Sequence, residues 1–189
     1  PALVIGTGGY ASGPLLFVSS ILNIPSIIQE QNSYPGITNK ILSKFVDKIC
    51  VAYENMDKFF PESKIFFTGN PIRSLVFKSH NRVEANSYFK LPKSNFTVLS
   101  IGGSLGAFSI NNAIKQNITF FIEKKINLIW QTGKTFYNEA KHAVAKEKNI
   151  ALFEFIKDMD YAYSAADIII SRAGAIAISE LTVVGKPVI

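Results

Sequence analysis

Short apolar segments alternate with helical segments along almost the whole chain, and three of the apolar segments end in glycine-rich turns. These segments are rich in Ile, Val and Phe and are apolar at consecutive positions, so that both faces of each strand would be buried. Such strands are typical of a parallel sheet covered by helices on both sides. The alternation therefore predicts an α/β fold of doubly wound units with right-handed crossovers.

The pattern predicts nine strands and six helices. The predicted strands are 3–5, 26–28, 48–53, 64–68, 96–101, 127–132, 151–155, 167–171 and 187–189. The predicted helices are 14–22, 38–45, 110–121, 138–148, 159–165 and 176–184. A polar and charged stretch from about Ser74 to Ser94 interrupts the alternation. We therefore expect one unit at 1–74, a linker region at 75–95 and a second unit at 96–189.

Both ends of the chain are predicted to lie inside strands, and the first residue, Pro1, is not a methionine. The first unit would then begin in the middle of a domain, and the second would stop before its sheet is complete. We expect the chain to be a fragment of a longer protein.

Composition narrows the class of protein. With 48% apolar and 18% charged residues the chain can bury a core, which excludes a disordered protein. One cysteine, Cys50, allows no intrachain disulfide, and with two histidines it cannot build a His/Cys metal site, so we expect no metal. The net charge of +6 favours anionic partners such as phosphates, nucleotides or an acidic membrane surface, although a solvated lysine-rich surface would explain it equally well.

Two glycine turns follow predicted strands, where open α/β sheets bind their ligands. The first runs from Gly6 to Gly13 and also carries the hydroxyl residues Thr7, Tyr10 and Ser12. The second, after residues 97–101, is Gly102-Gly103-Ser104-Leu105-Gly106. Glycines allow close backbone approach, and the N-terminus of the following helix offers free N–H groups to an anion. Both turns are predicted to bind phosphate or diphosphate, the alternative being glycines required only for packing.

A third turn, Ser171-Arg172-Ala173-Gly174, precedes the helix that carries Glu180 in its first turns. A glutamate at the start of a helix is commonly a partner of the helix dipole. In a nucleotide cleft it could also accept hydrogen bonds from two ribose hydroxyls.

Beyond these turns, the chain carries an ordered series of short motifs. The series is Gly8-Gly9-Tyr10-Ala11-Ser12-Gly13-Pro14, Glu30-Gln31-Asn32, Pro35-Gly36-Ile37-Thr38-Asn39, Gly69-Asn70-Pro71-Ile72-Arg73, Gly102-Gly103-Ser104-Leu105-Gly106-Ala107, Trp130-Gln131-Thr132-Gly133-Lys134, Phe155-Ile156-Lys157-Asp158-Met159, Ser171-Arg172-Ala173-Gly174-Ala175, Ser179-Glu180-Leu181 and Gly185-Lys186-Pro187. Together these motifs resemble the MurG family of peptidoglycan N-acetylglucosaminyltransferases, over the length of the chain apart from residues 75–95.

The resemblance implies a GT-B fold, in which two Rossmann-like domains face each other across a cleft. Residues 1–74 would be the back half of the N-terminal, acceptor-side domain, and 96–189 the front part of the C-terminal, UDP-sugar-binding domain. The implied reaction moves N-acetylglucosamine from UDP-N-acetylglucosamine to an undecaprenyl-diphospho-muramoylpentapeptide lipid, with inversion and without a metal or other cofactor. The implied location is peripheral, on the cytoplasmic face of the bacterial plasma membrane, with no nucleic-acid partner.

The resemblance also assigns donor-binding roles to individual residues. Ile156 would hold the uracil through its backbone, and Glu180 would bind the ribose hydroxyls. Ser104 in the second turn and the helix-start amides would face the diphosphate, while Asn32 and Arg73 would lie on the other side of the cleft. The implied donor-binding set is Asn32, Arg73, Gly103, Ser104, Ile156, Ala175, Ile176 and Glu180.

The first glycine turn matches a loop that would hold the diphosphate of the acceptor. The implied acceptor-binding set is Gly8, Gly9, Tyr10, Ser12 and Gly13.

The chain departs from the family pattern at two positions and contains no identifiable catalytic residue. Gln29 stands where a histidine is common, and Ala177 where a hydroxyl residue is usual. The histidine expected to act as the base would precede Pro1, and His80 and His142 do not match it. We therefore expect the fragment alone to be inactive.

Two other classes of protein remain as alternatives. An NAD-dependent oxidoreductase would use the first glycine turn and Glu30 as its ribose-binding acid, but Ala11 stands where its fingerprint has glycine. A basic nucleic-acid-binding module would explain the excess of lysine, but the sequence carries no helix-turn-helix, RNP or zinc pattern.

Overall fold

The computed structural model describes residues 1–144 and 147–189. The chain divides into two compact units, Pro1–Pro71 and Ile72–Ile189. Each unit is built on its own parallel sheet. No helix in the described ranges is long and apolar enough to cross a lipid bilayer.

The first unit contains a four-stranded sheet in the order β1-β2-β3-β4, with every neighbouring pair parallel. Its strands are β1 (Val4–Gly6), β2 (Ser26–Glu30), β3 (Lys48–Val51) and β4 (Ile65–Phe67). Its helices are α1 (Ser12–Ile21) and α2 (Ile37–Leu42), and short 3₁₀ turns lie at Met56–Lys58 and Glu62–Lys64. Leu16 of α1 and Ile28 and Ile49 of the central strands are fully buried, which fixes α1 on the sheet.

The second unit contains a four-stranded parallel sheet in the order β7-β6-β5-β8. Its strands are β5 (Thr97–Ile101), β6 (Asn127–Gln131), β7 (Ile150–Phe153) and β8 (Ile168–Ser171). All residues of the central strands β5 and β6 are buried, as the apolar runs predict for strands covered on both faces. β5 pairs with β6 on one side and β8 on the other, so the strand order reverses beside β5. Ligands of doubly wound folds bind at such a reversal, beyond the carboxyl ends of the strands.

In the described part of the second unit, six helices accompany the sheet. They are α3 (Arg82–Tyr88), α4 (Phe108–Gln116), α5 (Ile118–Glu123), α6 (Lys134–Val144), α7 (Met159–Ala165) and α8 (Ala175–Val184), with a 3₁₀ turn at Ser74–Phe77. Trp130 on β6 is fully buried and donates its indole N–H to Asn111 of α4 at 3.0 Å, so it is a core residue.

The structure differs from the expected linker at residues 75–95. This stretch belongs to the second unit and contains α3, which Asn81 caps by accepting a hydrogen bond from the Val83 N–H. Ala85 and Phe89 are buried in the same core cluster as strand residues of the second sheet. The boundary between the two units lies between Pro71 and Ile72, slightly earlier in the chain than expected. The many polar residues on the exposed side of this segment made it resemble a linker in the sequence, although its other side is apolar and buried.

Three other elements differ from expectation. The helix expected at 110–121 is two helices, separated at Asn117, whose side-chain amide donates to the Ala113 carbonyl and competes with the helical backbone. The helix expected at 138–148 begins earlier, at Lys134, and the end of that prediction includes residues 145 and 146, which lie outside the described residues. The ninth strand is reduced to one parallel bridge from Val188 to Ile169.

Candidate functional site

A cavity of about 750 Å³ lies in the second unit at the carboxyl ends of β5, β6 and β8. The turns after β5 and β8, the segment between β7 and α7, and the first turns of α8 line it. This is the place that the reversal of strand order predicts for a ligand. Its lining includes Arg73, Gly103, Ser104, Gln131, Ile156, Tyr163, Gly174, Ile176, Ala177 and Glu180.

The turn after β5 presents backbone to this cavity. Gly103 has a φ of +82°, and a methyl group added there would meet no atom within 4 Å. Gly106 also has a positive φ, but a methyl group there would lie 1.9 Å from the Thr132 carbonyl oxygen. Gly106 is therefore required for packing against the turn after β6, whereas Gly103 leaves its side of the turn open to a ligand.

The N-terminus of α8 faces the same cavity. Gly174, in extended conformation, precedes the helix, and no side chain in the described part of the chain caps it. The first N–H groups of a helix have no partner within the helix and carry a partial positive charge. Because Gly174 and Ile176 line the cavity, these groups can bind a phosphate oxygen.

Glu180, on the next turn of α8, holds a buried carboxylate at the cavity. Arg73 donates from Nε to Glu180 Oε1 and from a terminal nitrogen to Oε2, each at 2.8 Å. The hydroxyl of Tyr163 donates to Oε2 at 3.2 Å. The hydrogen bond from Arg73 lowers the pKa of Glu180 below its ordinary value, although burial acts in the opposite direction. Burial also raises the pKa of Tyr163, so its hydroxyl remains a donor.

We expect the contribution of the Arg73–Glu180 pair to the free energy of unfolding of the second unit to be lost at low pH. A carboxylate whose pKa is lowered by folding stabilises the folded state above its unfolded pKa, and this contribution is lost as the pH falls through the folded pKa. In an Arg73→Met variant, burial acts without the arginine and raises the pKa of Glu180 instead. The free energy of unfolding of the two proteins should therefore differ most at neutral pH. The difference should begin to shrink as the pH falls through the raised pKa of Glu180 in the variant, and should shrink further below the ordinary glutamate value of 4.5.

The measurement is urea unfolding of both proteins across this pH range, followed by the fluorescence of Trp130, the sole tryptophan of the sequence. A difference in unfolding free energy that stays constant with pH would show that the two residues do not interact electrostatically.

Ile156 lies in the segment between β7 and α7 and is buried. Its backbone N–H donates to the Gln131 side-chain oxygen at 2.8 Å, and the Gln131 side-chain nitrogen donates to the Gly103 carbonyl at 3.0 Å. Sequence reasoning found Gln131 within a motif but assigned it no role. The sequence also provides no indication of a role for Tyr163, on the buried face of α7, because a tyrosine in an apolar helix is usually a core residue.

A second, smaller cavity of about 230 Å³ lies in the first unit. Gly8 and Gly9, both with positive φ, form one wall, and Glu30, Asn32 and Asn39 line it as well. Glu30 is buried and accepts four hydrogen bonds from this chain: two from Asn32, one from the Gly36 N–H and one from the Asn39 amide. These bonds tie the segment from Asn32 to Asn39 to the end of β2.

The structure thus distributes the expected residues over two sites. Arg73, Gly103, Ser104, Ile156, Ile176 and Glu180 line the cavity of the second unit, and Ala175 begins α8 beside it. We expected Arg73 on the opposite side of the cleft from Glu180, but it belongs to the second unit and pairs with Glu180 directly. Asn32 lies in the first unit, at the smaller cavity.

The remaining residues of the first turn are placed differently from Gly8 and Gly9. Tyr10 is almost fully exposed. Ser12 donates its hydroxyl hydrogen to the Gly8 and Gly9 carbonyls at 3.0 and 3.1 Å, so it fixes the turn rather than pointing to a ligand. The Gly13 N–H likewise donates to the Tyr10 carbonyl within the turn.

The structure also shows where the two residues that depart from the family pattern, Gln29 and Ala177, are located. Gln29 is buried and donates to the Gly69 carbonyl at 3.1 Å, which joins β2 to the loop after β4. Ala177 contributes a methyl group to the lining of the larger cavity. Within residues 1–144 and 147–189, no three His, Cys, Asp or Glu side chains are grouped as metal ligands.

Family models match both units. The model of the glycosyltransferase family 28 C-terminal domain matches residues 97–189, and that of the N-terminal domain of the same family matches residues 1–51. The larger cavity is built by residues of the first of these matches together with Arg73.

Curated relatives match the whole chain. The chain is 53% identical to a UDP-N-acetylglucosamine–N-acetylmuramyl-(pentapeptide) pyrophosphoryl-undecaprenol N-acetylglucosamine transferase of Flavobacterium psychrophilum, covering 100% of this chain and 52% of the relative. A protein of the same name from Parabacteroides distasonis is 47% identical, with the same coverage. The chain spans about half the length of the curated relatives it matches. These relatives do not favour the oxidoreductase or the nucleic-acid alternative.

Among solved structures, the crystal structure of Acinetobacter baumannii MurG matches 97% of this chain and 50% of its own, with a TM-score of 0.65 and 30% identity. The α/β fold of GT-B type that the sequence predicts is thereby confirmed. With domain models of one family on both units and relatives of one name along its whole length, the chain belongs to the MurG family within glycosyltransferase family 28.

Proposed function

We propose that this chain is part of an inverting N-acetylglucosaminyltransferase. The whole protein would move N-acetylglucosamine from UDP-N-acetylglucosamine to a lipid-linked muramoyl-pentapeptide acceptor in peptidoglycan synthesis. The observation that carries the proposal is the larger cavity, where an open glycine turn, an uncapped helix N-terminus and a buried carboxylate lie together.

The chemistry of this cavity suits a nucleoside diphosphate. The N–H groups at the start of α8 and in the turn at Gly103 and Ser104 are donors for the diphosphate oxygens. The Glu180 carboxylate would accept hydrogen bonds from two ribose hydroxyls as Arg73 withdraws from it. Ile156 would meet the base through its backbone. One ligand could therefore satisfy donors at one end of the site and acceptors at the other.

The same groups would promote transfer. The muramoyl hydroxyl would lose its proton to a base, the histidine expected before Pro1, as its oxygen attacks the anomeric carbon. The bond from that carbon to the diphosphate oxygen breaks, and UDP leaves with the electron pair. Negative charge therefore grows on the diphosphate in the transition state. Oriented N–H groups at a glycine turn and a helix N-terminus stabilise such charge without having to reorganise.

The first unit would contribute to binding of the acceptor. The Gly8–Gly9 turn with its positive φ angles lies at the smaller cavity, beside Asn32 and Asn39. We place the acceptor diphosphate near this turn. Because the acceptor is anchored in a lipid bilayer, the whole protein would act peripherally at the cytoplasmic face of the plasma membrane.

Calorimetric titration of this chain with UDP, UDP-N-acetylglucosamine and NAD tests the donor assignment. We expect both uridine ligands to bind at least about tenfold more tightly than NAD, a difference of about 1.4 kcal/mol. NAD has two riboses and a diphosphate but no uracil, so it controls for unselective binding of phosphates and sugars. Equal binding of NAD, or no binding of UDP by the folded chain, would contradict the proposal.

A further inference from the structure

Gln131 is the last residue of β6, and its side chain extends past the end of the strand into the lining of the larger cavity. The residue is 5% exposed. Both polar atoms of its side-chain amide are hydrogen-bonded. The oxygen accepts from the Ile156 N–H at 2.8 Å, and the nitrogen donates to the Gly103 carbonyl at 3.0 Å. Within the described residues, no backbone–backbone hydrogen bond joins Gln131 to Gly103 or to Ile156.

These two bonds join distant parts of the chain. Gly103 lies 28 residues before Gln131, in the turn after β5, and Ile156 lies 25 residues after it, beyond β7. A buried polar group left without a partner costs about 1–3 kcal/mol. Neither segment can therefore move away from Gln131 without a substantial penalty.

Gly103 and Ile156 belong to opposite ends of the proposed nucleotide site. We propose that Gln131 is a positioning residue that sets the distance between the diphosphate-binding turn and the base-binding segment. This inference rests on the proposed function. A ligand that carries a base and a diphosphate on one framework gains from both contacts at once only when their spacing matches the ligand.

Three ligands separate this role from a purely structural one. UDP contacts both ends of the site, whereas uridine and inorganic diphosphate each contact one end. In a Gln131→Met variant, which keeps the length of the side chain but makes neither hydrogen bond, we expect the affinity for UDP to fall at least roughly fivefold. The affinities for uridine and for diphosphate should each change less than about twofold, because each end remains intact.

A second variant keeps the test valid if methionine disturbs folding. Gln131→Asn retains the amide but is shorter by one methylene, so it can reach only one of the two partners. It should show a smaller loss for UDP in the same pattern. Gln116→Met, at an exposed glutamine of α4 in the same unit, is the matched control and should leave all three affinities unchanged.

The affinities are measured by NMR titration of the ¹⁵N-labelled chain, whose spectrum also reports folding. Unchanged UDP affinity in both Gln131 variants would overturn the inference. So would equal losses for all three ligands, since that pattern indicates general damage to the unit. If the unsubstituted chain does not bind UDP, the proposed function itself has failed, and this result is visible before any variant is compared.

Discussion

Replacing Glu180 by glutamine is expected to weaken UDP binding about tenfold. A carboxylate can accept hydrogen bonds from two hydroxyls on its two oxygens, whereas the glutamine amide can accept from only one side. Hydrogen bonds to a charged acceptor contribute about 1.5–3 kcal/mol each. The variant should fold, because the Arg73 side chain is 48% exposed and water can replace its lost partner.

The expected loss is smaller than the sum of two such hydrogen bonds, because Arg73 already occupies both Glu180 oxygens. A ribose diol would approach the same edge of the carboxylate. Glu180 can accept it only as Arg73 withdraws, so part of the gained energy offsets the broken ion pair. The released guanidinium lies at the same cavity as Gly103 and Ser104, where a diphosphate would be its next partner.

The control ligand is 2′,3′-dideoxy-UDP, which lacks both ribose hydroxyls. It should bind the unsubstituted chain and Glu180→Gln with nearly equal affinity. The control variant is Glu139→Gln, which neutralises an exposed glutamate of α6 that is paired with Lys115. An equal loss for UDP and its dideoxy form would mean that Glu180 does not contact the ribose.

Replacing Gly106 by alanine is expected to unfold the second unit or to lower its free energy of unfolding by more than about 4 kcal/mol. The added methyl group would lie 1.9 Å from the Thr132 carbonyl oxygen and 2.8 Å from its carbon. Both are backbone atoms, so no side-chain rotation can relieve the overlap. A φ of +80° adds a further steric cost for any residue other than glycine.

Gly103→Ala is the matched control in the same turn. Its φ of +82° is nearly the same, but the added methyl group meets no atom within 4 Å. Only the conformational cost applies, about 1–2 kcal/mol. Urea unfolding monitored by Trp130 fluorescence gives both values. Equal destabilisation by the two substitutions would show that the turns after β5 and β6 are not in backbone contact.

The glycine turns were the most predictable part of the site. Their position after buried strands, with a helix following, fixes their place at the ligand-binding edge of a doubly wound sheet. Glu180 could be placed for a related reason, because a residue early in α8 must lie near the same edge. The order of the strands, and with it the reversal beside β5, could not be derived from apolar runs alone.

Side-chain partners were the least predictable part. Arg73 and Glu180 are 107 residues apart, and nothing in the local sequence of either predicts their ion pair. Gln131 joins two loops that meet only when the sheet is assembled. Ser12 looks like a ligand-binding hydroxyl in the sequence, but the positive φ angles of Gly8 and Gly9 bring their carbonyls within its reach. Such contacts depend on the tertiary fold rather than on local pattern.

The central claim, that the second unit binds the UDP part of a sugar nucleotide, is tested most directly by mapping UDP-N-acetylglucosamine on the ¹⁵N-labelled chain. The proposed site predicts amide shifts that saturate together at Gly103, Ser104, Ile156 and Ile176, with no comparable change at Gly8 and Gly9. Shifts confined to the Gly8–Gly9 turn, or a folded chain whose spectrum does not change, would contradict the claim.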